Sequence, residues 1–330
     1  MAEATIRDVA RRAAVSVASV SRSLNRPAEV RPELRERVLK AVADLHYVPH
    51  AGARSLSTRW NSAIGVVLPD LHGEFFSEMV RGMDREASGQ GFQLLLSTMH
   101  ADVELAVSAL RAMRGRVDGL IVMAPQFDGT AIAALVPPSL PAILINSADG
   151  SGRHSFRVDD ARGAEQVVEH FVAGGRRRLV HIAGPKANID ASVRAEAFLA
   201  ACRRLLPEYT PLVVAGDFSE RAGREAIERL LADRTAFDAL FAANDMMAIG
   251  ALGALRDRRI RVPDEVAVAG FDDIPLARYL NLTTVRGRMD ELGARAVAQL
   301  VAELRGAKAV RRIELIEPTL VVRESSGGKA

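Results

Sequence analysis

The chain has 330 residues, 48% hydrophobic and 26% charged, long and apolar enough for two or three globular domains. Its formal net charge of +3 excludes a chain that coats nucleic acid by charge alone, yet residues 1–59 carry 11 Lys/Arg against 6 Asp/Glu, leaving 33 against 35 for the remainder. The single cysteine, Cys202, excludes an intramolecular disulfide and a cysteine metal cluster and suits a reducing cytoplasm. The opening MAEATIRD lacks the apolar run of an export signal, and the longest uncharged stretch, 129–148, is broken by Pro137, Pro138 and Pro141, so neither export nor a membrane span is expected.

Thr5 followed by Asp8 is a helix-start signature, and Ile6, Val9, Ala10 and Ala13 then repeat at helical spacing. The chain restarts at Val15, and Ser16 is a good cap for a second helix. In that helix Val20 and Leu24 fall inward, while Val17, Ala18, Ser21, Arg22 and Asn25 share the opposite face. This outward face is small, with an Arg and an Asn able to fork hydrogen bonds to a base edge, as a helix entering a major groove about 12 Å wide requires. A surface helical hairpin is the alternative reading. A third helix has Pro32 in its first turn, Glu33 and Glu36 early, Lys40 late, and a stripe of Leu34, Val38, Val42 and Leu45. The three stripes can close a small core. The segment YVPHAGARSLSTRW follows at 47–60, and its part 49–56 is too short for a stable helix on its own.

From residue 61 short β-branched runs alternate with helical patterns. AIGVVLP, FQLLLST, DGLIVMAP and AILIN are separated by helices near 75–89, 103–114 and 128–136. A second series follows, with helices near 159–173, 191–205, 219–232, 245–257 and 288–305 interleaved with RLVHIAG, PLVVAGD, ALFAAN and VAVAGFD. The alternation predicts two α/β lobes with parallel sheets covered on both faces. Ligands of such sheets bind beyond the carboxyl ends of strands. Those ends are Pro69-Asp70, Asn146, Gly184-Pro185, Asp217-Phe218, Asn244-Asp245 and Phe271-Asp272. Each polar residue there has an alternative reading as a helix cap, Asn244 above all. The last run, LVVR, is followed only by ESSGGKA, which has no apolar heptad positions and is expected to fray, so no tetramer-forming coiled coil is expected.

TIRDVA, VSVASVSR, Tyr47-Val48-Pro49 and Ala53-Arg54-Ser55-Leu56 resemble the N-terminus of the lactose-repressor (LacI/GalR) family of bacterial transcription regulators. The resemblance continues through AIGVVLPD at 63–70, RVDGLIV at 116–122, VDD at 158–160, HIAGP at 181–185, AAND at 242–245, VAGFDD at 268–273, LTTV at 282–285 and VVRES at 321–325. It implies an all-α helix-turn-helix DNA-binding domain plus an α/β two-lobe, periplasmic-binding-protein-like effector domain. The expected division is 1–48 for DNA binding, 49–60 for a hinge and 61–330 for effector binding and dimerisation. Within the last, the first lobe takes about 61–158 plus 286–312, and the second about 159–285 plus 313–330.

Carried over from the family, the residues that meet DNA are Thr5, Ser16, Val17, Ala18, Ser21, Arg22, Asn25, Tyr47, Arg54 and Leu56. Leu56 would be a wedge pushed into the minor groove by a hinge helix ordered only on DNA, or alternatively packs on the body. The chain departs from the family pattern at His50 and Gly52, and glycine weakens a helix by roughly 1 kcal/mol. Val17-Ala18 is apolar and suits thymine methyls, which leaves Arg22 to read a guanine. The effector cleft would be lined by Asp70, Phe75, Phe76, Asn146, Asp190, Arg194, Phe218, Asn244 and Asp272, with Arg194 and Asp272 gripping polar atoms and Phe218 stacking on a ring. For Arg194 the alternative is a surface arginine, and for Phe75 and Phe76 the core.

The expected function is a repressor of carbohydrate-utilisation genes, cytoplasmic and nucleoid-associated, released from a palindromic operator by a sugar-like effector. The expected partners are operator DNA, the effector and a second copy in a homodimer, with no membrane. The alternatives are a purine or other non-sugar co-repressor, or a sugar-binding transport protein, which would need an export signal and have no use for residues 5–56. There is no HExxH, GxSxG or Walker loop and no GxGxxG after the first strand, and the seven histidines lack metal-ligand spacing, so no catalysis, metal or cofactor is expected.

Overall fold

The computed structural model describes residues 4–25, 27–47, 60–71, 73–100, 102–147, 151–309 and 311–328. Two compact units emerge, Met1–Ala63 with Gly115–Asp118, and Ile64–Arg114 with Gly119–Ala330. Arg54, Leu56 and the other residues from 48 to 59, which include nearly all of the expected hinge, lie outside the described residues.

The first unit holds helices α1 (Ile6–Ala13), α2 (Val17–Asn25) and α3 (Pro32–Asp44). Thr5 donates its backbone N–H and its hydroxyl to the Asp8 carboxylate at 3.0 and 2.6 Å, and these bonds hold that carboxyl below its usual range. Ser16 Oγ accepts the Ser19 N–H at 3.1 Å and caps α2 as expected. Val9, Ala10, Ala13, Val20, Val38 and Ala41 form the buried core, with Leu24, Leu34, Val42 and Leu45 packed around it. The Arg37 guanidinium of α3 donates to the carbonyl of Ala13 at 2.8 Å and so satisfies the end of α1.

In the second unit the chain runs through β1 (Ala63–Leu68), α4 (Glu74–Gly89), β2 (Gln93–Thr98), α5 (Val103–Met113), β3 (Gly119–Met123), α6 (Gly129–Leu135), β4 (Ala142–Ile145) and β5 (His154–Val158). It continues through α7 (Asp160–Ala173), β6 (Leu179–Ala183), α8 (Ile189–Leu205), β7 (Leu212–Ala215), α9 (Glu220–Ala232), β8 (Ala239–Ala242), α10 (Asp245–Asp257) and β9 (Ala267–Asp272). The last elements are α11 (Pro275–Tyr279), β10 (Thr283–Arg286), α12 (Met289–Leu304), β11 (Ile313–Ile316) and β12 (Thr319–Val321). One six-stranded sheet has the order β11-β5-β4-β3-β1-β2 and the other β12-β10-β9-β8-β6-β7. From β1 through β3 and β4 to β5 and β11, and from β7 through β6 and β8 to β9 and β10, the pairing is parallel, with Ile64 opposite Gly119 and His181 opposite both Val213 and Phe241, whereas the edge pair β10–β12 is antiparallel.

The central strands of both sheets are apolar and nearly continuously buried, as in parallel sheets covered by helices. Ile64, Val66, Ile121 and Ile143 pack in one core with Met79, Met83 and Leu300, and Val180, Leu240 and Val268 pack in another with Ile227 and Leu255. In the second lobe α9 and α10 cross backbone to backbone. A Cβ on Gly250 would stand 1.9 Å from the Glu220 carbonyl oxygen, and one on Gly223 2.0 Å from that of Met247. Only glycine fits at either position.

Two expectations need correction. The second lobe was expected to take residues 313–330, yet Ile313–Ile316 pairs with His154–Val158 and is the edge strand of the first sheet. The tail was expected to fray, yet its first residues are ordered. Glu324–Ser326 form a turn in which the Ser325 hydroxyl donates to the Val268 carbonyl at 2.7 Å and accepts the Thr283 N–H at 2.8 Å. Bonds to the backbone of two core strands anchor this segment despite the glycines that follow.

Candidate functional site

The carboxyl ends of the strands from both lobes surround a cavity of about 500 Å³. Asp70 follows β1, Gln126 lies just beyond β3, Pro185 follows β6, Phe218 follows β7, Asn244 follows β8, and Asp272 ends β9. Phe75 and Phe76 come from the first turn of α4, and Asp190 and Arg194 from one face of α8. Of the nine cleft residues expected from the sequence, eight line this cavity: Asp70, Phe75, Phe76, Asp190, Arg194, Phe218, Asn244 and Asp272.

Asn146 is the exception. It is 1% exposed, has φ +43°, and does not line the cavity; hydrogen bonding from its side chain acts on Asp190 instead.

Arg194 is no surface arginine, since its side chain is only 5% exposed. Its Nε donates to Asp160 Oδ1 at 2.7 Å and its Nη1 to the Ala243 carbonyl at 2.6 Å. Asp272 Oδ1 lies 3.8 Å from Nη1, and the guanidinium carbon sits 3.6 Å from the centre of the Phe271 ring. A cation this deep persists only when its donors and charge are met, and here carboxylates, a carbonyl and an aromatic face meet them.

Burial pushes the Asp190 carboxyl up to about 8, with Asp160 adding to the shift and Arg194, Arg157 and Asn146 opposing it. Burial likewise raises Asp272 to about 7 against the pull of Arg194. Asp190 therefore keeps its proton at neutral pH and can donate as well as accept a hydrogen bond.

Asn244 fills both of its readings. Its Oδ1 accepts the Met247 N–H at 3.0 Å and caps α10, while its Nδ2 donates to the Phe218 carbonyl at 2.9 Å. That bond fixes Phe218, whose φ of +72° projects its ring into the cavity lining. Phe75 and Phe76 are half-buried and meet edge to face at 5.0 Å. They take part in the core and the cavity wall together.

Sequence reasoning gave no individual role to Asp160 or Gln126, and named Asp245 and Phe271 only as strand-end residues. Asp160 is the first residue of α7, and the cap before it is Asp159, which accepts the Arg162 N–H at 3.0 Å. The wholly buried Asp245 accepts the Thr284 hydroxyl at 2.5 Å and the Ile274 N–H at 2.9 Å, bracing the loop after β9. The doubled acids of VDD and FDD were the available signal. Among the described residues no group of three His, Cys, Asp or Glu is placed to hold a metal ion, and no helix is long and apolar enough to cross a membrane.

The other candidate surface is the outward face of α2. Val17 is 41% exposed, Ala18 and Arg22 are exposed, and Ser21 is half-buried. Thr5 and Ser16 are exposed at the starts of α1 and α2, and Asn25 ends α2. Tyr47 is 6% exposed, and it packs in the core with Val9, Val20 and Val38.

Residues 5–50 match the family model of bacterial regulatory proteins, lacI family, and residues 168–326 match that of a periplasmic binding protein-like domain. The chain is 32% identical to the ribose operon repressor of Halalkalibacterium halodurans, over 98% of this chain and 97% of that protein. It is 30% identical to the transcriptional repressor PurR of Pasteurella multocida, over 98% of both. A lac repressor dimer solved with operator and the anti-inducer ONPF superposes with a TM-score of 0.89 at 29% identity, covering 98% of this chain and 99% of that one.

Proposed function

The chain belongs to the lacI family of bacterial regulatory proteins and is a DNA-binding transcriptional regulator with an effector-binding body, and we propose that it represses carbohydrate-utilisation genes as a homodimer and leaves a near-palindromic operator when a small sugar-like effector binds. The observation that carries this reading is the cavity of about 500 Å³, where a buried Arg194 and Asp272 stand beside the ring of Phe218. Polar groups over an aromatic face suit the hydroxyls and C–H edges of a sugar ring.

On the DNA side, Val17, Ala18, Ser21, Arg22 and Asn25 read base edges, Thr5 and Ser16 meet phosphates, and Arg54 and Leu56 act in the hinge. A two-fold operator needs two reading helices in fixed relation, which requires a C2 dimer. The protein would work in the cytoplasm at the nucleoid. A purine co-repressor is the second reading, favoured by the phenylalanines of the cavity wall and by the likeness to a repressor named PurR.

Selection of DNA sites from a random pool, followed by fluorescence polarisation with sugars and nucleobases, tests the reading. Release from the selected palindrome by a sugar supports it. Tighter binding with a nucleobase replaces it by the second reading. Sedimentation at micromolar concentration should give twice 35.5 kDa, and a persistent monomer would remove the repressor mechanism.

A further inference from the structure

We propose that Gln126 and Asp190 form a donor–acceptor clamp that grips one hydroxyl of an uncharged, polyhydroxylated effector from opposite lobes, and that the cleft rejects phosphorylated or carboxylated forms of that compound. The inference rests on the effector-site reading and deepens it.

The Pro125 carbonyl accepts the Ile189 N–H at 3.0 Å, so the loop after β3 touches the first turn of α8. Gln126 and Asp190 are the next residue on each side of that bond, and both line the cavity. Gln126 Nε2 and Asp190 Oδ1 are buried and have no hydrogen-bond partner among the described residues. Asp190 is itself only 4% exposed. An unpartnered buried donor and an unpartnered buried acceptor, on residues that flank this bond and line one cavity, call for a group that accepts from one and donates to the other, which a single hydroxyl does.

The charges decide the class. Asp70, Asp190, Asp217 and Asp272 line the cavity. Arg194 is the one arginine or lysine lining it among the described residues, and Asp160, Asp272 and the Ala243 carbonyl already engage its guanidinium. His100 lines the wall with its Nε2 bonded to the Thr98 hydroxyl at 3.0 Å. A phosphate or carboxylate would be stripped of water among acids with no uncommitted guanidinium to receive it. An uncharged polyol meets acceptors for its hydroxyls and the faces of Phe75, Phe76 and Phe218 for its carbons.

Thermal shift and calorimetry on the full-length protein would compare D-ribose, D-galactose and D-glucose with ribose 5-phosphate, glucose 6-phosphate, galacturonate, hypoxanthine and guanine. The expected result is one responding neutral sugar whose charged counterpart binds at least a hundredfold more weakly. A charged compound bound as tightly, or a response to nucleobases alone, overturns the ligand class while leaving an effector site. Silence of the whole panel overturns the effector reading beneath it. Gln126→Leu should weaken the responding sugar at least tenfold, and Gln126→Asn, which keeps the amide on a shorter stem, should fall between. One mono-deoxy analogue should bind wild type and Gln126→Leu alike, because the gripped hydroxyl is gone. Unliganded melting curves check that the variants fold. An unchanged Kd in both folded Gln126 variants removes the clamp.

Discussion

Arg194 of α8 and Asp160 at the start of α7 are joined by a 2.7 Å charged hydrogen bond that is almost wholly shielded from solvent. The same guanidinium faces the effector cavity, so the second lobe's packing and its ligand wall share one side chain. Removing one member of a buried pair leaves the other charge uncompensated, at a cost of about 3–5 kcal/mol. Arg194→Ala should therefore lower folding stability by that order as well as abolish the effector response. Urea denaturation checks it, and an Arg194→Ala variant as stable as wild type would show that the pair is not what holds α7 to α8.

The proton on Asp190 makes folding pH-dependent. Its carboxyl titrates near 3.8 in the unfolded chain and at about 8 when folded, pushed up by burial first and by Asp160 second, against Arg194, Arg157 and Asn146. Between those values the folded chain binds the proton that the unfolded chain releases. Stability is therefore full at the acid end and falls as pH rises through the window. Asp272, raised to about 7, acts with the same sign. Denaturation from pH 5 to 8 should show wild type losing stability along a steeper slope than Asp190→Asn, whose remaining slope ends near Asp272's titration. Parallel slopes would place the proton elsewhere.

The crossing of α9 and α10 gives a test of packing. Gly250→Ala places a methyl 1.9 Å from the Glu220 carbonyl oxygen, so the two backbones must part. Overpacking of this kind costs about 1–3 kcal/mol and exceeds the roughly 1 kcal/mol that alanine gains over glycine in a helix. Gly89→Ala is the matched control, because no atom lies within 4 Å of its added Cβ. That variant should be neutral or more stable. Equal melting temperatures for the two variants would contradict the close approach.

The features legible in the sequence were periodic ones. Alternating β-branched runs and helical stripes marked most strands of both sheets, and the strand ends pointed to Asp70, Phe218, Asn244 and Asp272. What escaped depends on contacts between distant segments. The short edge strand β11 leaves Ile313 and Leu315 exposed, the latter at 58%, and nothing in its own pattern says which sheet it joins. Nothing beside Asp160 in the sequence announces that Arg194, 34 residues later, takes its carboxylate. Ser325 reads as tail until its hydroxyl meets Val268 and Thr283. Tyr47 sits in a motif associated with DNA, and that motif does not announce its packing in the three-helix core.

The exposed face of α2 makes the last prediction. Val20 is fully buried and fixes the helix's rotation, so Val17, Ala18 and Arg22 turn outward together. Two of these are apolar and short, which lets the helix approach a groove floor and leaves the Arg22 guanidinium as the group able to fork hydrogen bonds to a guanine edge. Losing such a contact costs about 1–3 kcal/mol and acts at one base position, whereas losing a phosphate contact weakens all sequences alike. Arg22→Ala should therefore bind the selected palindrome more weakly, tolerate other bases at one position of each half-site, and keep its affinity for random DNA. Arg22→Lys should likewise hold random DNA as wild type does without regaining the base preference, since ammonium is a point charge and not a planar fork. If Arg22→Ala keeps the wild-type ratio of specific to random binding, base reading belongs to another residue of α2.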